Sequence, residues 1–218
     1  MLSSILRGNT DFISIIVYIL STAVVVFLTL PIHEFAHGFV ADKLGDPTPR
    51  YQGRLSLNPL AHLDLVGSVC ILLFGFGWAK PVGVNPNNFE KPKRDMALVA
   101  LAGPASNLIV AFISLAIIKV LSAFTLILFL PYVITFLLYI AQINISLAVF
   151  NLIPVPPLDG SRILGIILPD RLYFKIMQYE RYIYIGLMIL LFTDVLDVPL
   201  FALRNLILSG FLRILNLA

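Results

Sequence analysis

Long apolar runs restrict the fold of this chain more than any other feature of its sequence. Of its 218 residues, 59% are hydrophobic and only 12% are charged, whereas a soluble domain carries roughly a quarter charged residues. A membrane-spanning helix needs about 20 apolar residues. Four runs approach or exceed that length, at about 12–44, 96–118, 125–153 and 182–201. We therefore predict an all-α integral membrane protein with about four transmembrane helices, forming a single domain over residues 1–218.

Two further segments are predicted to associate with the membrane without crossing it. The apolar part of segment 66–90 is short of a span and rich in glycine, which favours a re-entrant or hairpin-like segment. Near the C-terminus, Asn205, Ser209, Arg213 and Asn216 fall in one sector at 100° per residue. That spacing predicts an amphipathic helix over 202–217, lying in the membrane plane.

The positions of the basic residues predict the orientation in the cell membrane. Lys and Arg number one before the first run, seven in 41–95, one just after the second run and four in 154–181. The positive-inside rule then places the N-terminus outside and both basic segments in the cytoplasm. The net charge of +3 gives no reason to expect a nucleic-acid partner. A single cysteine, Cys70, excludes an intrachain disulfide and a thiolate metal cluster.

A motif with metal-binding spacing lies near the cytoplasmic end of the first run. His33 and His37 are four residues apart, so both project from one face of a helix and can bind one ion. Glu34 projects about 100° from His33 and could reach a water at the metal, as a general base does in zinc proteases. Unpartnered ionisable residues are costly inside a membrane. The motif therefore predicts a catalytic zinc site.

A catalytic zinc needs a third protein ligand, and the sequence offers two candidates. Asp159 follows three prolines near the predicted cytoplasmic end of the third run, at a depth similar to that of the histidines. His62 lies in the predicted cytoplasmic segment and is the alternative. It could instead be an inhibitory or auxiliary group near the metal. Asp159 is the preferred ligand.

Two asparagines are candidates for contacting substrate. Asn107 lies near the start of the second run and Asn151 near the end of the third. A side-chain amide can stabilise the negative oxygen that forms during hydrolysis. It can also simply join neighbouring helices, which is the commoner use of asparagine in membranes.

Three motifs in order, HEFAH at 33–37, GPASN at 103–107 and NLIPVPPLDG at 151–160, give the chain a resemblance to the site-2 protease family of intramembrane zinc metalloproteases. The segments 53–68 and 77–86 are similar to those of the small prokaryotic members. The resemblance implies one zinc per chain held by His33, His37 and Asp159, with Glu34 as the general base. It also implies a substrate or oxyanion role for Asn151, and more weakly for Asn107.

The resemblance further implies hydrolysis of peptide bonds within or near transmembrane segments of other proteins. The expected partners are a transmembrane protein or peptide substrate and membrane lipid. No insert is long enough for a PDZ domain, and no regulatory domain is expected after the last run. Segment 66–90 could then select substrate, for instance through a short strand pair that adds an extended substrate at its edge.

Two other functions are compatible with the same residues. A catalytically silent homologue could act as a scaffold for membrane proteins. A metal-binding transporter could use His33, His37 and Asp159, but it would not need Glu34, and it would usually have more polar residues lining a path across the membrane.

Overall fold

The computed structural model describes residues 12–74, 79–124, 128–191, 193 and 195–217. Within these ranges the regular elements are helices, and the part described contains no strand. The α-helices are α1 (Phe12–Val24), α2 (Leu30–Lys43), α3 (Thr48–Tyr51), α4 (Pro59–His62), α5 (Leu65–Phe74), α6 (Pro92–Leu121), α7 (Leu130–Asn151), α8 (Gly160–Ile167), α9 (Asp170–Gln178), α10 (Glu180–Leu191) and α11 (Asp197–Ile214). The predicted all-α fold class is confirmed.

A widened helical turn joins α1 to α2. Val25–Thr29 is π-helical, and the N–H of Leu30 donates to the carbonyl of Val25, five residues earlier. Pro31 at the start of α2 has no N–H to donate to the preceding turn, and the π-helical turn accommodates that missing bond. Such turns are frequent at functional sites, and this one lies one turn before His33.

Helix α6 is central to the bundle, since it packs against α2, α7 and α8. Small side chains bring α6 and α7 together: Ala111 and Ala141 are fully buried in the same cluster as Leu115 and Ile145. Helix α11 packs onto this cluster through partly buried residues that include Leu208, Phe211 and Leu212. The helix face that carries Ile109, Ile113 and Ile117 stays exposed, as expected of a surface in contact with lipid.

Three of the four predicted spans are present as helices long and apolar enough to cross a membrane, at Phe12–Lys43, Pro92–Leu121 and Leu130–Asn151. The predicted fourth span, 182–201, is not one helix: α10 ends at Leu191 and α11 begins at Asp197. Pro199 lies in the first turn of α11, where the missing N–H of proline leaves no intrahelical hydrogen bond unmade.

The other two predicted segments also differ in detail from the structure. In segment 66–90 the described part forms a helix to Phe74, no regular structure from 79 to 85 and a 3-10 turn at Pro86–Asn88; residues 75–78 lie outside the description. The suggested strand pair is absent from the part described, because Pro81 and Pro86 lack the N–H groups that a ladder needs. The predicted amphipathic helix corresponds to α11, which packs against α6 and α7.

The packing of α6 against α7 predicts a difference between two truncations on the same helix. Leu115 is fully buried in the interhelical cluster, whereas Ile117 is 43% exposed. We expect Leu115→Ala to destabilise the protein by about 2 kcal/mol or more, because it leaves a cavity. Ile117→Ala is the matched control and should have little effect. Thermal unfolding in detergent, followed by circular dichroism, measures both; equal losses of stability would contradict the packing described.

Candidate metal centre

Three metal-binding side chains converge from two distant parts of the chain. Nε2 of His33 lies 3.0 Å from Nε2 of His37. Oδ2 of Asp159 lies 3.4 Å from the first of these nitrogens and 3.3 Å from the second. Both histidines are buried and Asp159 is mostly buried. We call these three atoms the donor triangle.

The donor triangle has the dimensions of a zinc site. A tetrahedral zinc with ligand bonds of about 2.0–2.1 Å spaces its ligands about 3.3 Å apart, close to the three distances in the triangle. Oδ2 of Asp159 is buried and has no hydrogen-bond donor among the described residues. Such an atom is costly unless a cation or donor meets it. Two nitrogens and one oxygen are ligands that suit zinc, so these residues fit the metal.

A second layer of contacts orients the ligands. Nδ1 of His37 lies 2.7 Å from the carbonyl oxygen of Val99 on α6. A carbonyl can only accept, so Nδ1 carries the proton and the lone pair of Nε2 points into the triangle. For Asp159, which lies outside the spanning helices, burial opposes ionisation, but protonated imidazoles at His33 and His37 outweigh burial and lower the pKa of the carboxyl. A cation between the three atoms would favour the ionised carboxylate in the same way.

Two glycines make room for the triangle. A Cβ added to Gly103 would lie 2.6 Å from Nε2 of His33 and closer still to that of His37. A Cβ added to Gly160, next to Asp159, would lie 2.5 Å from the carbonyl oxygen of Ile153 and closer to that of Leu152. Any larger residue at either position would displace a ligand or the turn that carries one.

Glu34 lies next to the first ligand and is held by a loop. Its Oε2 accepts a hydrogen bond of 3.1 Å from the backbone N–H of Val82. The side chain of Val82 lies over α2 near Gly38, one turn beyond Glu34. Glu34 is only partly buried, so part of its side chain stays accessible.

The two candidate asparagines lie on different elements. Asn107 is one turn after Gly103 on α6, on the face that meets the histidines; it is buried, and its Nδ2 has no partner among the described residues. Asn151 is half-buried and is the last residue of α7. The turns from 152 to 158 separate it from Asp159. Neither is part of the donor triangle.

His62, the alternative third ligand, is engaged elsewhere. Its ring is fully buried, and Nε2 lies 2.6 Å from the carbonyl oxygen of Ser56. Its own carbonyl accepts a 2.7 Å hydrogen bond from the N–H of Lys80. The group of residues that could hold a metal ion contains Asp159 and not His62. These contacts give His62 a part in holding loops together.

Comparisons with known proteins identify the family of this chain. A match to Peptidase family M50 covers residues 128–193, which include α7 and Asp159. The Bacillus subtilis protein named "Putative zinc metalloprotease YwhC" is 40% identical over 196 residues, or 88% of each chain. The chain belongs to peptidase family M50. This confirms the predicted resemblance to site-2 proteases.

Two less similar relatives are also named putative zinc metalloproteases. Rip2 of Mycolicibacterium smegmatis is 32% identical over 141 residues, covering 61% of this chain and 51% of Rip2. MJ0611 of Methanocaldococcus jannaschii is 27% identical over 154 residues, covering 69% of this chain and 72% of that protein. No solved structure matches the chain. Membership of M50 supports zinc as the metal of the donor triangle, and a membrane metalloprotease as the class of protein.

Sequence reasoning missed several residues of the M50 site. Gly103 lies in the GPASN motif, but its residue type indicates only a small residue that lets helices approach closely, whereas the fold places it against the two histidine rings. The contacts of Val82 and Val99 are made by backbone atoms, which leave no trace in residue type. Only the fold reveals them.

The space at Gly103 predicts that Gly103→Ala will lose zinc. The added methyl group would overlap the two histidine rings, so the three ligands could not share one ion. Gly186→Ala is the control, because nothing lies within 4 Å of a Cβ at that position. Metal analysis of the purified variants should find zinc in the control and almost none in Gly103→Ala. Full zinc content in Gly103→Ala would show that the ligands are not arranged as described.

Proposed function

We propose that this chain is an intramembrane zinc metalloprotease that hydrolyses peptide bonds within or near transmembrane segments of membrane proteins. The observation that carries the proposal is the donor triangle, with Glu34 adjacent to one ligand, built on helices long and apolar enough to span a membrane. One zinc ion per chain would be held by His33, His37 and Asp159.

The residues of the site have complementary tasks in this reaction. Zinc, when bound, supplies Lewis-acid activation of water and of the scissile carbonyl. Glu34 takes the proton of the attacking water and returns it to the leaving amine. An amide donor then stabilises the oxygen that becomes negative. Asn151 is the first candidate for that donor or for holding the substrate, and Asn107 is the second.

The buried position of the site restricts the form of the substrate. In a helix, the carbonyl groups are hydrogen-bonded and shielded, so a transmembrane helix must unwind locally before one of its bonds can reach the site. The expected partners are therefore a transmembrane protein or peptide with a weak helix, together with membrane lipid. The proposed orientation has the N-terminus outside and the active site toward the cytoplasm, as the distribution of basic residues predicts.

Replacing the general base should separate catalysis from metal binding. We expect Glu34→Gln to lower cleavage by about 100-fold to 10,000-fold while zinc content stays unchanged, because the amide cannot take the proton. The assay uses detergent-purified protein and a transmembrane peptide with glycine and proline in its centre. Asp159→Ala is the comparison, and it should lose zinc and cleavage together.

The same experiment separates the alternatives. A scaffold or a transporter would keep its function in Glu34→Gln, since neither needs a proton acceptor beside the metal. Zinc at one ion per chain without cleavage by the unaltered protein would favour the silent homologue. Zinc retained in full by Asp159→Ala would remove that residue from the ligand set.

The proposed orientation predicts which sites a membrane-impermeant maleimide can label on intact cells. In a Cys70→Ser background, Ser122→Cys should be labelled from outside, since it follows the second span. Asn87→Cys should be labelled only after the membrane is opened, because segment 41–95 is expected in the cytoplasm. Both positions are exposed in the structure, so accessibility within the protein does not bias the comparison. The reverse labelling pattern would contradict the orientation.

A further inference from the structure

Asp46 is a buried carboxylate just beyond the first spanning helix. It is fully buried, and its Oδ2 accepts a 2.7 Å hydrogen bond from the N–H of Asn85. Its Oδ1 accepts from Nδ2 of Asn88 at 2.6 Å and from the N–H of Thr48 at 3.1 Å, and the Thr48 hydroxyl donates to the same oxygen. A buried charge persists only when it is bonded in this way. Burial opposes ionisation, but these hydrogen bonds outweigh it and lower the pKa of the Asp46 carboxyl, which leaves both oxygens as acceptors.

Two partners of Asp46, Asn85 and Asn88, belong to the loop segment 79–88, which has little regular structure of its own. Two further hydrogen bonds of the segment are donated by backbone N–H groups: Lys80 donates to the carbonyl of His62, and Gly83 donates to Oε1 of Gln52 at 3.2 Å. Among the acceptors named here, only Asp46 accepts from both a backbone N–H and a side-chain amide of segment 79–88. The carboxylate therefore fixes the C-terminal half of the segment.

The same segment contacts Glu34. The N–H of Val82 donates to Oε2 of Glu34, and Val82 is only three residues from Asn85, a span of at most about 10 Å. A glutamate has three rotatable side-chain bonds, so without this contact the carboxylate would sample several rotamers. The bond to Oε2 leaves Oε1 able to accept a proton.

We propose that Asp46 is a positioning residue for the reaction: it holds segment 79–88 so that the N–H of Val82 fixes the carboxylate of Glu34. Asp46 acts through the loop and touches neither metal nor reacting atoms. The inference rests on the proposed function, because it assigns Glu34 the role of general base.

Hydrogen exchange tests the positioning without any need for activity. Asp46→Asn keeps the shape of the side chain but replaces one carboxylate oxygen with an NH₂ group. That group then faces a donor of the protein, such as the N–H of Asn85 or Nδ2 of Asn88, instead of accepting from it. We expect faster exchange of the amides of Val82, Gly83 and Asn85, with zinc content unchanged. Asp42→Asn is the control: Asp42 lies near the end of α2, four residues before Asp46, and among the described residues its carboxylate pairs only with the exposed Arg50, so its loss should leave the segment protected.

Cleavage of the transmembrane peptide tests the consequence for catalysis. Asp46→Asn should cut the rate by between about tenfold and 100-fold, as expected when a catalytic group is misplaced by about 1 Å. Adding Asn88→Asp should recover most of that loss, because the new carboxylate accepts from the amide of residue 46. A residue needed only for overall stability would give no such rescue. If Asp46→Asn fails to fold, Asn88→Ala removes one contact at an exposed position and should raise exchange and slow cleavage in the same direction.

Two results would overturn the inference. One is unchanged exchange of the three amides in Asp46→Asn. The other is faster exchange with cleavage at the rate of the unaltered protein, which would leave the proposed function standing. Absence of cleavage by the unaltered protein would instead count against the proposed function, and the exchange experiment would still show whether Asp46 holds the segment.

Discussion

The structure depends on bringing three electron-rich atoms together in a water-poor interior. Nε2 of His33, Nε2 of His37 and Oδ2 of Asp159 lie within 3.4 Å of one another, and their lone pairs repel unless a cation lies between them. The surrounding features serve this convergence. Gly103 leaves space beside the rings, Val99 fixes one imidazole, and the turns after α7 return the chain to deliver Asp159.

The helices impose this arrangement through their order and direction. Helix α6 packs against α2 on one side and α7 on another, so the motif in α2 and the end of α7 reach the same region. The GPASN motif on α6 passes between them. The candidate metal site and the core of the bundle therefore share one helix, since α6 carries Gly103 beside the site and Ala111 and Leu115 in the core.

Much of this could be predicted from the sequence, for definite physical reasons. Spacing of four residues places His33 and His37 on one helical face, and three prolines before Asp159 exclude a continuous helix. Apolar length predicted the three helices that are long enough to cross a membrane, whereas 182–201 is divided between two helices, a division that average hydropathy does not report. The choice between Asp159 and His62 as the third metal ligand depends on distances in the folded structure. The spacing of residues along the chain does not give those distances. The hydrogen bond from the N–H of Val82 to Glu34 could not be predicted either, because almost every residue has a backbone N–H.

The way segment 79–88 is attached has a consequence for how such a chain can change over time. Its donors are backbone amides at 80, 82, 83 and 85 and the side chain of Asn88, whereas the acceptors are the carbonyl of His62 and the side chains of Glu34, Gln52 and Asp46. Apart from Asn88, side chains in the segment can therefore vary, provided that proline does not replace a backbone donor, while the side-chain acceptors at 34, 46 and 52 tolerate little. A loop held in this manner can acquire new surface chemistry beside Glu34 while its backbone keeps its position, so changes in the surface of the loop need not move the carboxylate of Glu34.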